Sequence, residues 1–461
     1  MIDREAECEW LRSNLGDGRQ MLVLYGRRRV GKTTLVAHVL DRLDTPSVYY
    51  LCDQRGTEAN ARAFSRRCAD VFEDVPPDVN GFEDAFRYLA RRVEGAFVVA
   101  LDEFSYLVEE DETVPSVFQT VVDEVLADTA VSLVLLGSSI SMMEEGVLSY
   151  ESPLYGRRTG QWRLEPLTIG DAAGFFPAYD ATELVRTYSV VGGIPAYLDQ
   201  FDPALDLASN VERYVLSKGA FLYEEPVFLL RQELREPATY MAILEAIANG
   251  ATRVTEIANR IGKNASTLSR YLSNLSRLAL VERETPVTDP DGRGVYRLTD
   301  HFLRFWFRYV LANRATLEQG HTEPVRQAIE ETLSTHTSWT FEDVCRQAVR
   351  TPAFPVACSR VGRWWYDELE VDVAALNERT DTLILGECKW TNDPVGSDLL
   401  YDLEAVEQDV RWRGACRTVE YALFAKSGFT ASLRESASRR DDVHLFTVDD
   451  VLELFSRPPR E

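Results

Sequence analysis

Gly26, Gly31, Lys32 and Thr33 stand in the spacing Gly-x-x-x-x-Gly-Lys-Thr, directly after the apolar run Met21-Leu22-Val23-Leu24. Arg27, Arg28, Arg29 and Val30 fill the loop, and Thr34 leads into helix-compatible sequence. Glycines at these places let backbone N–H groups close around phosphate oxygens, and a helix starting behind them adds its positive end. A lysine at the close of such a loop reaches β- and γ-phosphates, and the hydroxyl after it can ligate Mg²⁺. The implied chemistry is binding of a nucleoside triphosphate, taken as ATP with Mg²⁺. A fully apolar run at 97–101 then ends in Asp102 and Glu103. There Asp102 would belong to the Mg²⁺ shell and Glu103 would polarise the attacking water. A third apolar run, 131–136, ends in Gly137-Ser138-Ser139 and puts Ser138 where a γ-phosphate can be sensed.

A second constellation lies near the C-terminus. Asp372 sits in Val371-Asp372-Val373, and Glu387 and Lys389 end the apolar run that begins at Leu383. If Asn377 pairs with Thr382 across the loop 378–381, a common hairpin length, Asp372 falls directly opposite Glu387. Lys389, two residues on, then shares their face. Two carboxylates side by side repel unless a cation lies between them, and Mg²⁺ favours such oxygens.

Positioning these groups needs more than one core. The chain has 461 residues, 45% of them hydrophobic, which suggests two to four domains. No run approaches the ~18 apolar residues of a membrane span, and the acidic, polar start is not a signal peptide. Seven cysteines without zinc or Cys-x-x-Cys spacing read as reduced thiols in a cytoplasm. The net charge is −24, and only five of the 50 basic residues are lysine. An acidic, lysine-poor surface suits a salt-rich, halophilic cytoplasm, where self-repulsion is screened.

Strand and helix patterns alternate over 20–180, predicting a parallel sheet with ligands at the strand C-termini. From Tyr240 the pattern becomes helical. Residues 241–248, 254–262 and 266–279 read as three helices, and 281–283 with 295–298 read as a two-stranded wing around Asp291-Gly292. This resembles a winged helix-turn-helix, with Lys263, Ser266, Thr267, Ser269, Arg270 and Arg277 on or beside the helix that would meet DNA. The aromatic stretch 301–310 is expected in a core or a seam.

The loop at 26–35, Leu101-Asp102-Glu103-Phe104, Leu135-Leu136-Gly137-Ser138-Ser139, the stretch 152–160, Glu165-Pro166-Leu167 and Gly192-Gly193-Ile194-Pro195 follow one another in order. Together they resemble the archaeal P-loop ATPases of the broader AAA+ and STAND type. The resemblance implies a γ-phosphate contact from Arg157 or Arg158; if the chain works as a homo-oligomer, a ring or a face-to-face dimer, that contact would be to a neighbour's nucleotide. It also implies that the Gly192-Gly193 segment belongs to a helical lid. In the tail, Asp372, Glu387 and Lys389 preceded by Glu342 resemble the restriction-endonuclease-like nucleases. By that likeness Asp372, Glu387 and Glu342 bind metal and Lys389 activates water.

The expected architecture is α/β. It comprises a P-loop nucleotide-binding parallel sheet (1–180), a helical lid (181–235), a winged helix (236–315) and a restriction-endonuclease-like α/β domain (335–461). The expected function is ATP hydrolysis acting on DNA, without a membrane. The alternative is a nucleotide-controlled signalling switch that binds a protein partner and cuts nothing.

Overall fold

β1 (Met21–Tyr25) carries no charge and is buried along its whole length, as a strand covered on both faces must be. In the computed structural model, which describes residues 4–456 except residue 17, β1 belongs to a five-stranded sheet. Its other members are β2 (Ser47–Leu51), β3 (Phe97–Asp102), β4 (Val131–Gly137) and β5 (Gly160–Arg163). The order is β2-β3-β4-β1-β5, and every pairing is parallel. Alternate residues serve opposite faces. Leu22, Leu24, Val98, Ala100, Val134 and Leu136 pack with helices Glu5–Gly16 and Lys32–Leu40. Met21, Val23, Val99, Leu101, Leu133 and Leu135 pack with helices Thr57–Val71, Phe82–Arg92 and Phe104–Glu110. Because β4 lies between β1 and β3, the loop after β1, Ser138 after β4 and the acids closing β3 emerge side by side.

The chain divides into two compact units between Pro166 and Leu167. Residues 167–180, expected with the nucleotide core, pack in the second unit, where Leu167 N–H donates to Gly193 O at 2.7 Å. Helices Ala181–Val191, Phe221–Glu233, Pro237–Ala248, Val254–Ile261 and Ala265–Arg277 follow, then the antiparallel pair β6 (Val281–Glu284) and β7 (Val295–Leu298). The aromatic stretch after His301 is core: Phe302, Phe305, Trp306 and Phe307 are almost wholly inaccessible.

Helix Glu323–Val349 passes through residue 335 without a break. It packs on a second five-stranded sheet made of β8 (Arg360–Tyr366), β9 (Leu369–Asn377), β10 (Thr382–Lys389), β11 (Thr418–Ala425) and β12 (Val443–Thr447). The order is β12-β11-β10-β9-β8, with β8, β9 and β10 antiparallel and β10, β11 and β12 parallel. The segment between β6 and β7 is tied to this sheet. Val287 N–H donates to Arg363 O at 2.9 Å, and the Val287 side chain is buried with Trp364, Val371 and Leu383. Among the described residues no helix is long and apolar enough to cross a membrane.

Candidate functional site

The loop after β1 turns on two glycines. Gly26 has φ +154°, and a Cβ there would stand 2.4 Å from Leu164 O, so no side chain fits. Gly31 caps helix Lys32–Leu40 with φ +100°, a conformation L side chains rarely adopt. Between them Arg29 is also left-handed, at φ +68°. Arg27 and Val30 are buried. Arg28 donates to Tyr106 Oη at 3.0 Å and lies 5.6 Å from that ring's centre. Arg4 donates to Val30 O at 3.3 Å and to Glu165 O at 2.7 Å, tying the first helix to the loop. Lys32 is buried, and its Nζ donates to Gly26 O at 2.8 Å and Arg27 O at 2.9 Å. Thr34 is exposed at the start of the helix.

The acids of β3 meet this loop. Thr33 Oγ1 donates to Asp102 Oδ2 at 2.5 Å, and Tyr49 Oη from β2 donates to the same oxygen at 2.6 Å. Asp102 Oδ1 accepts the Glu103 N–H at 2.8 Å. Glu103 is left-handed at φ +53°, a strained conformation for a residue with a side chain and one that clusters at active sites. Its Oε2 accepts the Ser138 hydroxyl at 2.5 Å and the Ser138 N–H at 3.3 Å. Thr33 and Asp102 thus bring two hard oxygen donors together, a set that fits Mg²⁺. Tyr49 is the residue that sequence reasoning missed. Burial first, and then its bond to Asp102, drives its phenol well above the ordinary range. Its only sequence signal was its place in a strand candidate; the pairing of that strand with the one that ends in Asp102 is a tertiary fact.

Arg157 and Arg158 are engaged elsewhere in the first unit. Arg157 grips Asp123 with Nε at 2.9 Å and Nη2 at 2.7 Å, and donates to Pro153 O at 2.7 Å. Arg158 donates to Leu148 O at 3.1 Å and stacks 4.8 Å from the centre of the Tyr155 ring.

In the second unit, Thr382 pairs with Asn377, and the ladder runs to Gly386 opposite Val373. One step further sets Glu387 across from Asp372. The Cys388 N–H donates to Asp372 Oδ2 at 3.1 Å, and Lys389 Nζ donates to Glu387 Oε2 at 2.9 Å. Burial, and then the Asp372 charge, pushes Glu387 up to about 7. The same two causes push Glu342, on the long helix, up to about 8. Glu342 Oε2 also lies 3.8 Å from Arg346 and 3.9 Å from Arg363, so two guanidiniums stand beside it. Among the described residues, no three Asp, Glu, His or Cys side chains converge closely enough to enclose a metal ion. Asp372 and Glu387 alone fit Mg²⁺, which commonly takes one or two carboxylates and keeps its waters. Glu342 does not close a third position around them.

Three family models match in chain order. Residues 1–201 match an ATPase domain predominantly from Archaea. Residues 240–285 match the IclR helix-turn-helix domain. Residues 306–405 match archaeal and bacterial proteins of unknown function, a match that carries no activity with it. An uncharacterized protein of Methanocaldococcus jannaschii is 34% identical over 396 residues, 84% of this chain and 87% of its own length. The chain belongs to this archaeal P-loop ATPase family. A solved Walker-type ATPase of Pyrococcus abyssi, 20% identical, covers 67% of this chain and 96% of its own with a TM-score of 0.51, so the fold is shared. A second uncharacterized protein of Methanocaldococcus jannaschii is 47% identical over 60 residues, 13% of this chain and 58% of its own.

The raised acids give the chain a pH signature. Their folded-state values, about 8 for Glu342 and about 7 for Glu387, lie above the unfolded 4.5. The native chain therefore binds those protons more tightly, and stability falls wherever that is so and pH rises. Their contribution is fully present below about 4.5 and is lost as pH climbs through 7 to 8. Without divalent metal, the thermal midpoint of the second unit should decline from pH 5 to pH 8 by tryptophan fluorescence. A flat or rising profile would contradict the burial of these carboxyls.

Proposed function

We propose that the chain is a Mg²⁺-dependent ATP hydrolase that acts on DNA through its helix-turn-helix, with the carboxylate pair of the tail cutting a phosphodiester. The observation that carries the first half is the hydrogen bond from Thr33 to Asp102, which unites the loop and the acidic strand in one donor set. Thr33 and Asp102 would hold Mg²⁺, which would supply positive charge to the phosphates during transfer. Tyr49 fixes the Asp102 carboxylate. Lys32 supplies the buried cation for the β- and γ-phosphates. Glu103, anchored by Ser138, orients the attacking water.

The DNA half is supported by the helix-turn-helix match and by helix Ala265–Arg277, whose Ser266, Thr267, Ser269 and Arg270 are exposed, as is Lys263 just before it. These groups suit phosphate and base-edge contacts. In the tail, Asp372 and Glu387 would hold a divalent cation, while Lys389, bonded to Glu387, orients water. A second reading, a nucleotide-controlled switch binding a protein partner, is favoured by the packing of the 281–298 segment against β8, which takes Val287 out of reach of a DNA groove.

ATP turnover measured at high salt with and without DNA separates the two. Stimulation of several-fold supports action on DNA, and indifference supports the switch. Asp372→Asn tests the tail in the full chain. The amide oxygen can still accept the Cys388 N–H, and loss of the like-charge pair should leave stability unchanged or raised by ~0.2–1 kcal/mol without metal. The same variant should lose Mg²⁺-dependent stabilisation and any strand cleavage, while ATP hydrolysis survives. An Asp372→Asn chain that still cuts would remove the nuclease assignment.

A further inference from the structure

A cavity of about 360 Å³ in the second unit has walls from two parts of the chain that sequence patterns keep apart, the helix-turn-helix region and the tail. Trp339 and Glu342 enter it from the long helix, Asp372 from β9 and Arg363 from β8, while Arg297 enters from β7 of the helix-turn-helix segment and Arg304 from the helix after it. Arg363 and Arg304 are 5% and 7% exposed. Arg363 Nη2 pairs with Glu370, which also lines the cavity, while Nη1 of both arginines and Nε of Arg363 have no hydrogen-bond partner. Guanidinium groups cannot shed their protons, and buried donors left unpaired are rare and costly. Both arginines line the cavity, so an acceptor that enters it can pair with these N–H groups, and phosphate is one that a guanidinium grips with two parallel bonds. Trp339 is 37% exposed, so its indole is open to a ligand. The Arg304 and Arg308 guanidiniums lie 6.0 Å and 5.4 Å from its ring centre. An indole flanked by guanidinium planes is a surface on which an unpaired base stacks. The volume sits at the low end of the ~300–1,000 Å³ of small-ligand sites, enough for one nucleotide and too little for two paired strands.

We infer that this cavity binds a single phosphate-bearing nucleotide unit, presented by the unpaired end of a nucleic-acid strand or as a free mononucleotide. Trp339 stacks the base, Arg304 and Arg363 take the phosphate, and Asp372 and Glu342 stand at the same opening. The inference deepens the DNA reading above: the substrate of the tail is a frayed or single-stranded end and not an intact duplex.

The test uses the full chain, a fluorescein-labelled oligothymidylate, a blunt duplex and dTMP. Trp339→Ala should weaken single-strand binding about 10-fold, the scale of one lost base stack, and Trp339→Phe should recover most of it. Neither should change duplex affinity or ATP turnover without DNA, which also reports that the variant is folded. Unaltered single-strand binding in Trp339→Ala, or an equal loss toward duplex, would overturn the inference while leaving DNA binding intact. If no oligonucleotide binds, the DNA reading fails by itself. Calorimetry with dTMP then decides the cavity: binding lost in Trp339→Ala supports the free mononucleotide as its ligand, and no binding overturns the inference as well.

Discussion

Lys32→Ala is expected to abolish ATP turnover, by at least about 10²–10³-fold, the scale on which one preorganised charge donor acts in a water-poor site. The lysine is buried and is cradled by the Gly26 and Arg27 carbonyls, which fix its ammonium at the mouth of the loop. Its removal takes away the cation that the loop places on the β- and γ-phosphates, so nucleotide binding should fail together with hydrolysis. Glu103→Gln should differ in kind. The amide keeps an oxygen for the Ser138 hydroxyl but lacks the charge that polarises water, so ATP should bind and persist unhydrolysed. Filter binding of labelled ATP alongside phosphate release distinguishes the two. Equal loss of binding in both variants would show that Glu103 is not the water-activating acid.

Arg346→Met should destabilise the second unit by about 3–5 kcal/mol, the cost of breaking a buried ion pair and leaving one charge uncompensated. Arg346 is 4% exposed, pairs with Asp343, and donates to the Asp372 backbone carbonyl at 2.7 Å. Burial alone would push Asp343 up, but Arg346 and then Arg304 outweigh it and hold the carboxyl at about 2. Because that value lies below the unfolded 3.8, the pair's stabilisation is present above pH 3.8 and fades as pH falls toward 2. Urea unfolding of the full chain at pH 7 checks the magnitude, and the gap between the two proteins should narrow on acidification toward pH 3. The double variant Arg346→Met with Asp343→Leu should recover part of the loss, since it removes the stranded charge together with its partner. A single variant as stable as the parent would mean that the pair is hydrated in solution.

Local rules reach far in this chain. The phosphate loop was legible because its chemistry is written in consecutive residues: only glycine tolerates the backbone at 26 and 31, and the lysine must follow at once. The acids at 102 and 103 were legible because an apolar strand that ends in two carboxylates has few other uses beside such a loop. Even the facing of Asp372 and Glu387 followed from the length of one hairpin loop, since pairing Asn377 with Thr382 determines every later pair.

What periodicity cannot report is which distant segment becomes a neighbour. Only the strand order β2-β3-β4-β1-β5 brings Thr33 to Asp102, Ser138 to Glu103 and the Tyr49 hydroxyl to the same carboxylate. Arg157 is paired with Asp123, 34 residues earlier. Val287, between the two paired strands β6 and β7, is buried under β8 and β9 because its apolar side chain gains more there than by exposure at a turn. Residues 167–180 joined the second unit through the backbone bond from Leu167 to Gly193. By itself the sequence determined which residues carry charge, which faces are apolar and which turns are possible, because those depend on neighbours within a few residues. The tertiary structure decided which charges meet and how deeply they are buried, because those depend on packing between segments far apart in the chain.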